Sequence, residues 1–396
     1  MEVRIGDSIE CNPTVKLVKG NEYPLIDIDK ITVGRKLVTN KDTIVYEKQS
    51  GCKFQNGDTL MARITPCLEN GKMAMASIPD KGIGSTELFV FRGKKGITDN
   101  DFVYYFLKQS YIRNLAANSM TGASGRQRAD LKFIKKIKFD LPTLPIQQKI
   151  ASTLSAYDRL IENNTRRIRL LEQMAENLYK EWFVRFRFPE HEKVEMINGL
   201  PKGWKRTKLI KNIKTSSGGT PSRNKGEYYK NGTIPWIKTG ELQDCILINT
   251  EECITEDAVN NSSAKLFPKG TLLMAMYGVN VGKLGISEIE ATCNQACCVF
   301  TPKQIDYKYY LFHYLKSIRE YLLSISFGAA QQNLSQELIK SIRVLFPDEK
   351  TNISFVKEVE PLFKEISIIQ QQNQLLTRQR DLLLPRLMSG KLEVKS

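Results

Sequence analysis

Two long stretches of the chain carry apolar residues in an alternation of four and three. The first starts at Ile150 and runs through Leu154, Tyr157, Ile161, Asn164, Ile168, Leu171, Ala175 and Leu178 to Trp182. This period puts every marked residue on one narrow helical face, the pattern of a coiled-coil seam. Pro145 near the start and Pro189 past the end bound the element, because proline is tolerated where a helix begins and cannot continue one. The second stretch reads Val359, Leu362, Ile366, Ile369, Asn373, Leu376, Arg380, Leu383 and Leu387, with Pro385 expected to interrupt it near its end. Each seam holds one asparagine, a residue that fixes register at some loss of stability. So narrow a stripe suits pairing of the two helices with each other better than packing on a globule. Their order in the chain permits an antiparallel coiled coil.

Ahead of each helix the pattern changes. Short apolar runs alternate with Gly, Pro, Asn and Asp turns, and residues 58–64, 88–91, 271–277 and 297–300 predict strands. Helical spacing of aromatic and aliphatic residues predicts short helices over 101–117 and 307–324.

These two regions repeat each other. Tyr23-Pro24-Leu25-Ile26 answers Ile234-Pro235-Trp236-Ile237, and Phe54-Gln55-Asn56-Gly57 with Leu60-Met61-Ala62 answers Phe267-Pro268-Lys269-Gly270 with Leu273-Met274-Ala275. Gly122-Ala123, Gln127, Ile134-Lys135, Ile137 and Pro142 answer Gly328-Ala329, Gln332, Ile339-Lys340, Ile342 and Pro347. A long helix closes each half. Four blocks in the same order identify an internal duplication. The expected architecture is α+β, with two pseudo-repeated globules over residues 1–143 and 189–348. Helices over 144–188 and 349–396 accompany them and form the antiparallel coiled coil.

Composition adds a partner class. The chain holds 59 Lys and Arg against 43 Asp and Glu, a formal charge of +16, and 41% of its residues are hydrophobic. Such a chain buries real cores and attracts polyanions, nucleic acid first among them. No segment reaches membrane-span length, and the first ten residues lack the apolar core of a signal peptide. Eight cysteines without CxxC pairing read as reduced thiols of a cytoplasmic protein. Cys293, Cys297 and Cys298 are expected to be buried thiols rather than a metal site, since only His191 and His313 accompany them.

Motifs of catalysis fall short. Gly278-Val279-Asn280-Val281-Gly282-Lys283 is one residue too short between its glycines for a phosphate loop, and Leu284 replaces the magnesium-binding hydroxyl. Pro347-Asp348-Glu349-Lys350 reads as a turn and helix start rather than converging carboxylates. No catalytic residue and no metal ligand is assigned.

The succession Gly203-Trp204, Leu209, Ser217-Gly218-Gly219-Thr220-Pro221-Ser222, Thr239-Gly240-Glu241-Leu242 and Gln332-Asn333-Leu334, closed by a coiled-coil helix and repeated, resembles the DNA specificity subunit of type I restriction–modification systems. The first half departs from it around Asn12-Pro13-Thr14, where the Gly-Gly turn is missing. The resemblance implies two target-recognition domains, each reading one half of a bipartite double-stranded DNA target, with the helices setting the spacer. It also implies docking of methyltransferase (modification) subunits and of restriction/translocase subunits. Those partners would bring S-adenosylmethionine, ATP and Mg, with no cofactor in this chain. A helix from Ile146 to Val184 would be about 58 Å long at about 1.5 Å per residue. That suffices to hold two readers near multiples of a duplex turn, about 34 Å. A stand-alone enzyme with a diverged site, a coiled-coil scaffold and an RNA-binding adaptor are the competing readings.

Base reading needs Arg, Lys, Asn and Gln on exposed turns, with hydroxyls and backbone N–H groups on phosphate. In the first globule the candidates are Arg63, Asn70, Lys72, Ser124, Arg126, Gln127 and Arg128. In the second, Ser217, Gly218, Gly219, Thr220, Ser222, Arg223 and Lys225 are expected to form a flexible basic turn. Tyr277, Asn280, Lys283, Gln331, Gln332 and Asn333 occupy positions corresponding to the first globule's set. Arg166, Arg167, Arg169, Lys180, Arg185 and Arg187, interleaved with Glu162, Glu172, Glu176 and Glu181, predict a docking face on the first long helix.

Overall fold

A computed structural model describes residues 1–123, 125–325 and 333–393. The chain divides into two compact units, Met1–Asn163 with Asn373–Ser396, and Asn164–Gln372. Each unit therefore combines one globule with a portion of both long helices. Among the described residues no helix is long and apolar enough to cross a membrane.

In the first unit a five-stranded sheet has the order Ile9–Cys11, Leu88–Gly93, Thr59–Ala62, Met73–Ala76, Leu37–Val38. Only the last pair is parallel. The second unit repeats both order and directions with Ile213–Ser217, Cys297–Pro302, Leu272–Ala275, Leu284–Ser287 and Cys245–Leu247. A second sheet in the first unit pairs Glu22–Ile26 in parallel with Lys81–Gly84, which pairs in turn with Cys52–Gln55. Its counterpart pairs Ile234–Ile237 with Thr292–Cys293, and the strand matching Cys52–Gln55 is reduced to a bridge between Phe267 and Ala291. The duplication read from the sequence is thus a duplication of topology.

Residues expected to form one short helix in each globule form two. Asn100–Lys108 and Ser110–Asn118 are separated at Gln109, whose ψ of 136° is extended. Lys308–Ser317 and Arg319–Ser324 are separated at Ile318. Phe102 through Leu107 are all buried, so the first of these helices lies inside the globule rather than presenting one wet face.

The central helix spans Leu144–Tyr179 and runs on as a π-helical turn, Lys180–Val184. The distal helix spans Glu349–Met388. Asp348 caps it, accepting from the Thr351 backbone at 3.0 Å and from the Trp204 indole at 3.0 Å, so the carboxylates at its start are helix-initiating. Pro385 does not interrupt the helix as expected. It falls in the last turn, so its missing N–H removes only one i→i−4 bond near the helix end, and Gly390 at φ 69° ends the helix.

Within the first unit, Ile150 and Leu154 share a core with Leu384 and Leu387, and Asp158 pairs with Arg380. Within the second, Leu171, Ala175 and Tyr179 share a core with Phe355, Val359, Phe363 and Ile366, and Arg167 pairs with Glu365. Rising numbers on one helix meet falling numbers on the other, so the helices run antiparallel in each unit. The buried stripe is wider than the seam. Ala151, Ser155, Tyr179, Phe183, Phe355, Phe363 and Leu384 are buried beside it, and Leu384 is more buried than the seam's Leu383. Each helix faces its globule as well as its partner, and that second task adds flanking positions. Ile150, Leu154, Asn164, Leu171, Val359, Ile366 and Ile369 are buried, while Tyr157, Ile161, Ile168, Leu178, Leu362, Asn373, Leu376 and Leu383 are half-buried.

Candidate nucleic-acid interface

The same backbone joint recurs at one end of each five-stranded sheet. In the first unit the strand Thr59–Ala62 leads into a loop that returns as Met73–Ala76. Arg63 donates its N–H to Glu87 O at 3.0 Å and accepts from Ala129 N at 2.8 Å. Thr65 N donates to Gln127 O at 3.0 Å, and Arg128 exchanges backbone bonds with Thr121. Arg63 is thereby brought to Gln127 and Arg128, more than sixty residues further along the chain. Asn70 and Lys72 sit on the same loop. Asn70 and Arg126 are exposed, and Lys72 donates to Ile28 O at 3.0 Å. Ser124 lies outside the described residues.

The charges of this tip are partly engaged. Arg128 grips Glu87 with two nitrogens, Nε at 2.9 Å and Nη2 at 2.6 Å, and the guanidinium holds the Glu87 carboxyl below its usual range. Arg63 lies over the Phe89 ring at 4.9 Å. Its buried Nε has no hydrogen-bond partner among the described residues. Glu87 escaped the sequence reading because its partner is 41 residues away; no local pattern marks such a pair.

In the second unit Met276 N donates to Ala296 O at 2.8 Å, and Leu334 N to Met276 O at 2.9 Å, the same joint built from different side chains. Tyr277 is exposed and Val279 is 100% exposed at the loop's apex. This loop joins two antiparallel strands, so the near-match to a phosphate loop is a hairpin turn. Asn333 is exposed, whereas Gln331 and Gln332 lie outside the described residues.

Two expectations need correction. Asn280 is no exposed reader: its buried amide donates to Thr239 O and Gly240 O, each at 3.1 Å, and ties the loop to that turn. The Gly-Gly turn is not flexible either. A Cβ on Gly218 would fall 1.9 Å from Cys293 O, and one on Gly219 would fall 2.3 Å from Ser263, so both glycines serve close backbone approach. Trp236 donates to Gly219 O at 3.0 Å. Ser217 and Thr220 are half-buried and Ser222 is exposed. Arg223 stacks on Tyr229 at 4.1 Å and pairs with Glu252 at 2.7 Å, while Lys225 donates to Tyr228 Oη at 2.9 Å. Lys283 donates to Gln243 Oε1 at 2.5 Å.

Along the central helix, cations and carboxylates largely satisfy one another. Lys180 and Lys316 both bind Glu176, at 2.6 and 2.9 Å, and pull its carboxyl down to about 2. Arg185 and Arg187 share Glu181. A feature the sequence reading missed stands beside them. Ile368, Leu375 and Leu382 are exposed at intervals of one heptad on the distal helix, as are Ile146, Leu160 and Met174, two heptads apart, on the central one. Their spacing is legible in the sequence as a second apolar heptad beside the seam.

The remaining chemistry is inward-facing. Burial pushes His313 down to about 3, so the imidazole is neutral, and it stacks against Tyr179. Cys293, Cys297 and Cys298 are buried free thiols within the cores, and burial pushes Cys298 up to about 12.

Residues 2–173 and 201–378 match the family model described as the type I restriction modification DNA specificity domain. The chain is similar to the type I restriction enzyme MjaIX specificity subunit of Methanocaldococcus jannaschii, 27% identical over 310 residues, covering 76% of this chain and 71% of that one. It is also similar to the HindI specificity subunit of Haemophilus influenzae, 24% identical over 406 residues, covering 86% of this chain and 87% of the relative. Its fold resembles the crystal structure of the type I restriction–modification system S subunit from M. genitalium, with a TM-score of 0.59 at 16% identity over 98% of this chain and 96% of that one.

Proposed function

Because the chain belongs to the type I restriction modification DNA specificity family, we propose that its two sheet tips each read one half of a bipartite double-stranded DNA target. The single observation that carries this reading is the recurrence of one backbone joint with different side chains, Arg63 and Arg128 in one unit, Met276 and Asn333 in the other. A shared frame with exchanged side chains is what two readers of different sequences require. The net charge of +16 supplies sequence-independent attraction to the duplex.

In this reading the chain recognises and does not catalyse. Methyltransferase (modification) subunits dock along the exposed heptads of the two long helices, and restriction/translocase subunits join that assembly in the cytoplasm. S-adenosylmethionine, ATP and Mg belong to those partners. The long helices set the unread spacer, since a helical strut fixes register where a flexible linker does not.

The test uses the full chain co-expressed with the modification subunits of its own system, with methylated bases mapped on genomic DNA. Two short half-sites at one fixed separation are expected. A four-residue insertion after Asn164 should lengthen that separation. A single continuous target, or a separation unmoved by the insertion, refutes the reading.

A further inference from the structure

The first unit contains a cavity of about 410 Å³ that none of this chemistry uses. The loop at Gly71 and Lys72, the junction between the two short helices at Lys108 and Arg113, and the distal helix at Arg380 and Asp381 form its walls. Its remaining lining is largely apolar, with Met61, Leu68, Met73, Leu107 and Leu384 among the residues.

The charge in this cavity is lopsided. Four basic residues, Lys72, Lys108, Arg113 and Arg380, line it against one acidic residue, Asp381. Arg380 is neutralised, with Asp158 and with Asp381 at 2.9 Å, and Asp158 is further occupied by the Tyr105 hydroxyl. Lys108 makes no ion pair among the described residues, although Asp158 and Asp381 are near enough to favour its charge. Its Nζ is buried and has no hydrogen-bond partner among the described residues; the Tyr104 ring lies 5.6 Å away. Arg113 makes no ion pair among the described residues. An ammonium taken out of water without a partner is costly, and burial accordingly pushes Lys108 down to about 8.

We infer that this cavity is a binding site for a small organic anion, an apolar body bearing a carboxylate or phosphate that rests on Lys108 and Arg113. The apolar walls take the body, and the two uncommitted cations take the charge. Because the walls come from both the candidate reading loop and the distal helix, an occupant would tie these two elements together. The inference does not rest on the DNA-reading proposal.

The test is ligand-observed NMR on the full chain, with phenyl phosphate and benzoate as probes and phenol, benzylamine and inorganic phosphate as controls. Probes of this size are expected to bind at about 1 mM or tighter; phenol and benzylamine should not bind saturably. Lys108→Met keeps the side chain's length, removes the unpaired amine and should not lower Tm, yet it should weaken phenyl phosphate at least about tenfold. Arg113→Gln, at a half-buried position, gives an independent reading and should weaken it several-fold. No saturable binding to the native chain overturns the inference, as does affinity unchanged in both variants. Inorganic phosphate binding as tightly as phenyl phosphate overturns it as well, since the apolar walls then take no part. Displacement of phenyl phosphate by a duplex of arbitrary sequence reassigns the site to DNA backbone and overturns it too.

Discussion

The two sheet tips share the pair of backbone bonds made at Arg63 in one and Met276 in the other, and almost none of the side chains those bonds display. Where the first unit places Arg63, Glu87 and Arg128, the second places Met276, Ala296 and Asn333. The contrast extends into the sheet. Asp58, fully buried, receives Arg92 through Nε and Nη2, both at 2.7 Å, and accepts from Gln55 N. At the matching positions stand Thr271, which bonds Pro268 O at 2.6 Å, and Thr301. One copy is thus stiffened by buried charge and the other by neutral hydrogen bonds. Main-chain geometry is what the duplication preserved; charge is what it released.

The largest effect should come from breaking that internal difference. Asp58→Ala strands Arg92 and should destabilise the first unit by about 3 kcal/mol or more, whereas Thr271→Ala should destabilise the second by about 1 kcal/mol. Trp182, Trp204 and Trp236 all fall in the second unit, so tryptophan fluorescence in a urea titration follows that unit while circular dichroism follows both. Asp58→Ala should shift the dichroism transition first; a shift seen first in fluorescence breaks the comparison.

Next come the reading side chains. The double substitution Arg63→Ala and Arg128→Ala should weaken DNA binding by about 1–3 kcal/mol and relax only one half of the target. Asn333→Ala should relax only the other half. Loss of both halves from either substitution, read from methylation-site mapping, contradicts separate readers.

The smallest effect sharpens the role of Glu87. Its carboxyl is lowered by the hydrogen bond from Arg128, so the stabilisation it provides is present above the ordinary carboxylate range and disappears as pH falls through the lowered value. The pair is partly exposed, and Glu87→Gln should change stability by less than about 1 kcal/mol. It should nevertheless raise affinity for DNA several-fold at low salt by releasing the guanidinium. Unchanged affinity in a fluorescence-anisotropy titration leaves Arg128 a purely structural partner of Glu87.

The long helices and the duplication were legible because hydrophobic period and block order are properties of the chain itself. The matching strands at Thr59–Ala62 and Leu272–Ala275 followed from the same signals. The candidate sites were legible as loops but not as chemistry. Asn280 looked like its exposed neighbours until the turn at Thr239–Glu241 arrived to bury it. Gly218 and Gly219 read as freedom where close packing against Cys293 and Ser263 allows none. The pairs Glu87–Arg128, Asp58–Arg92 and Asp158–Arg380 join residues far apart in sequence, so their partners depend on the finished fold.

The first unit draws on both early and late parts of the chain: Ile150 and Leu154 are covered by Leu384 and Leu387. During synthesis the ribosome would therefore release the whole second globule before the first one's core is closed. A message cut short before residue 373 would yield a chain with an uncovered leucine face, a substrate for chaperones and proteases rather than a half-functional reader. The first core closes only after the distal helix has been made.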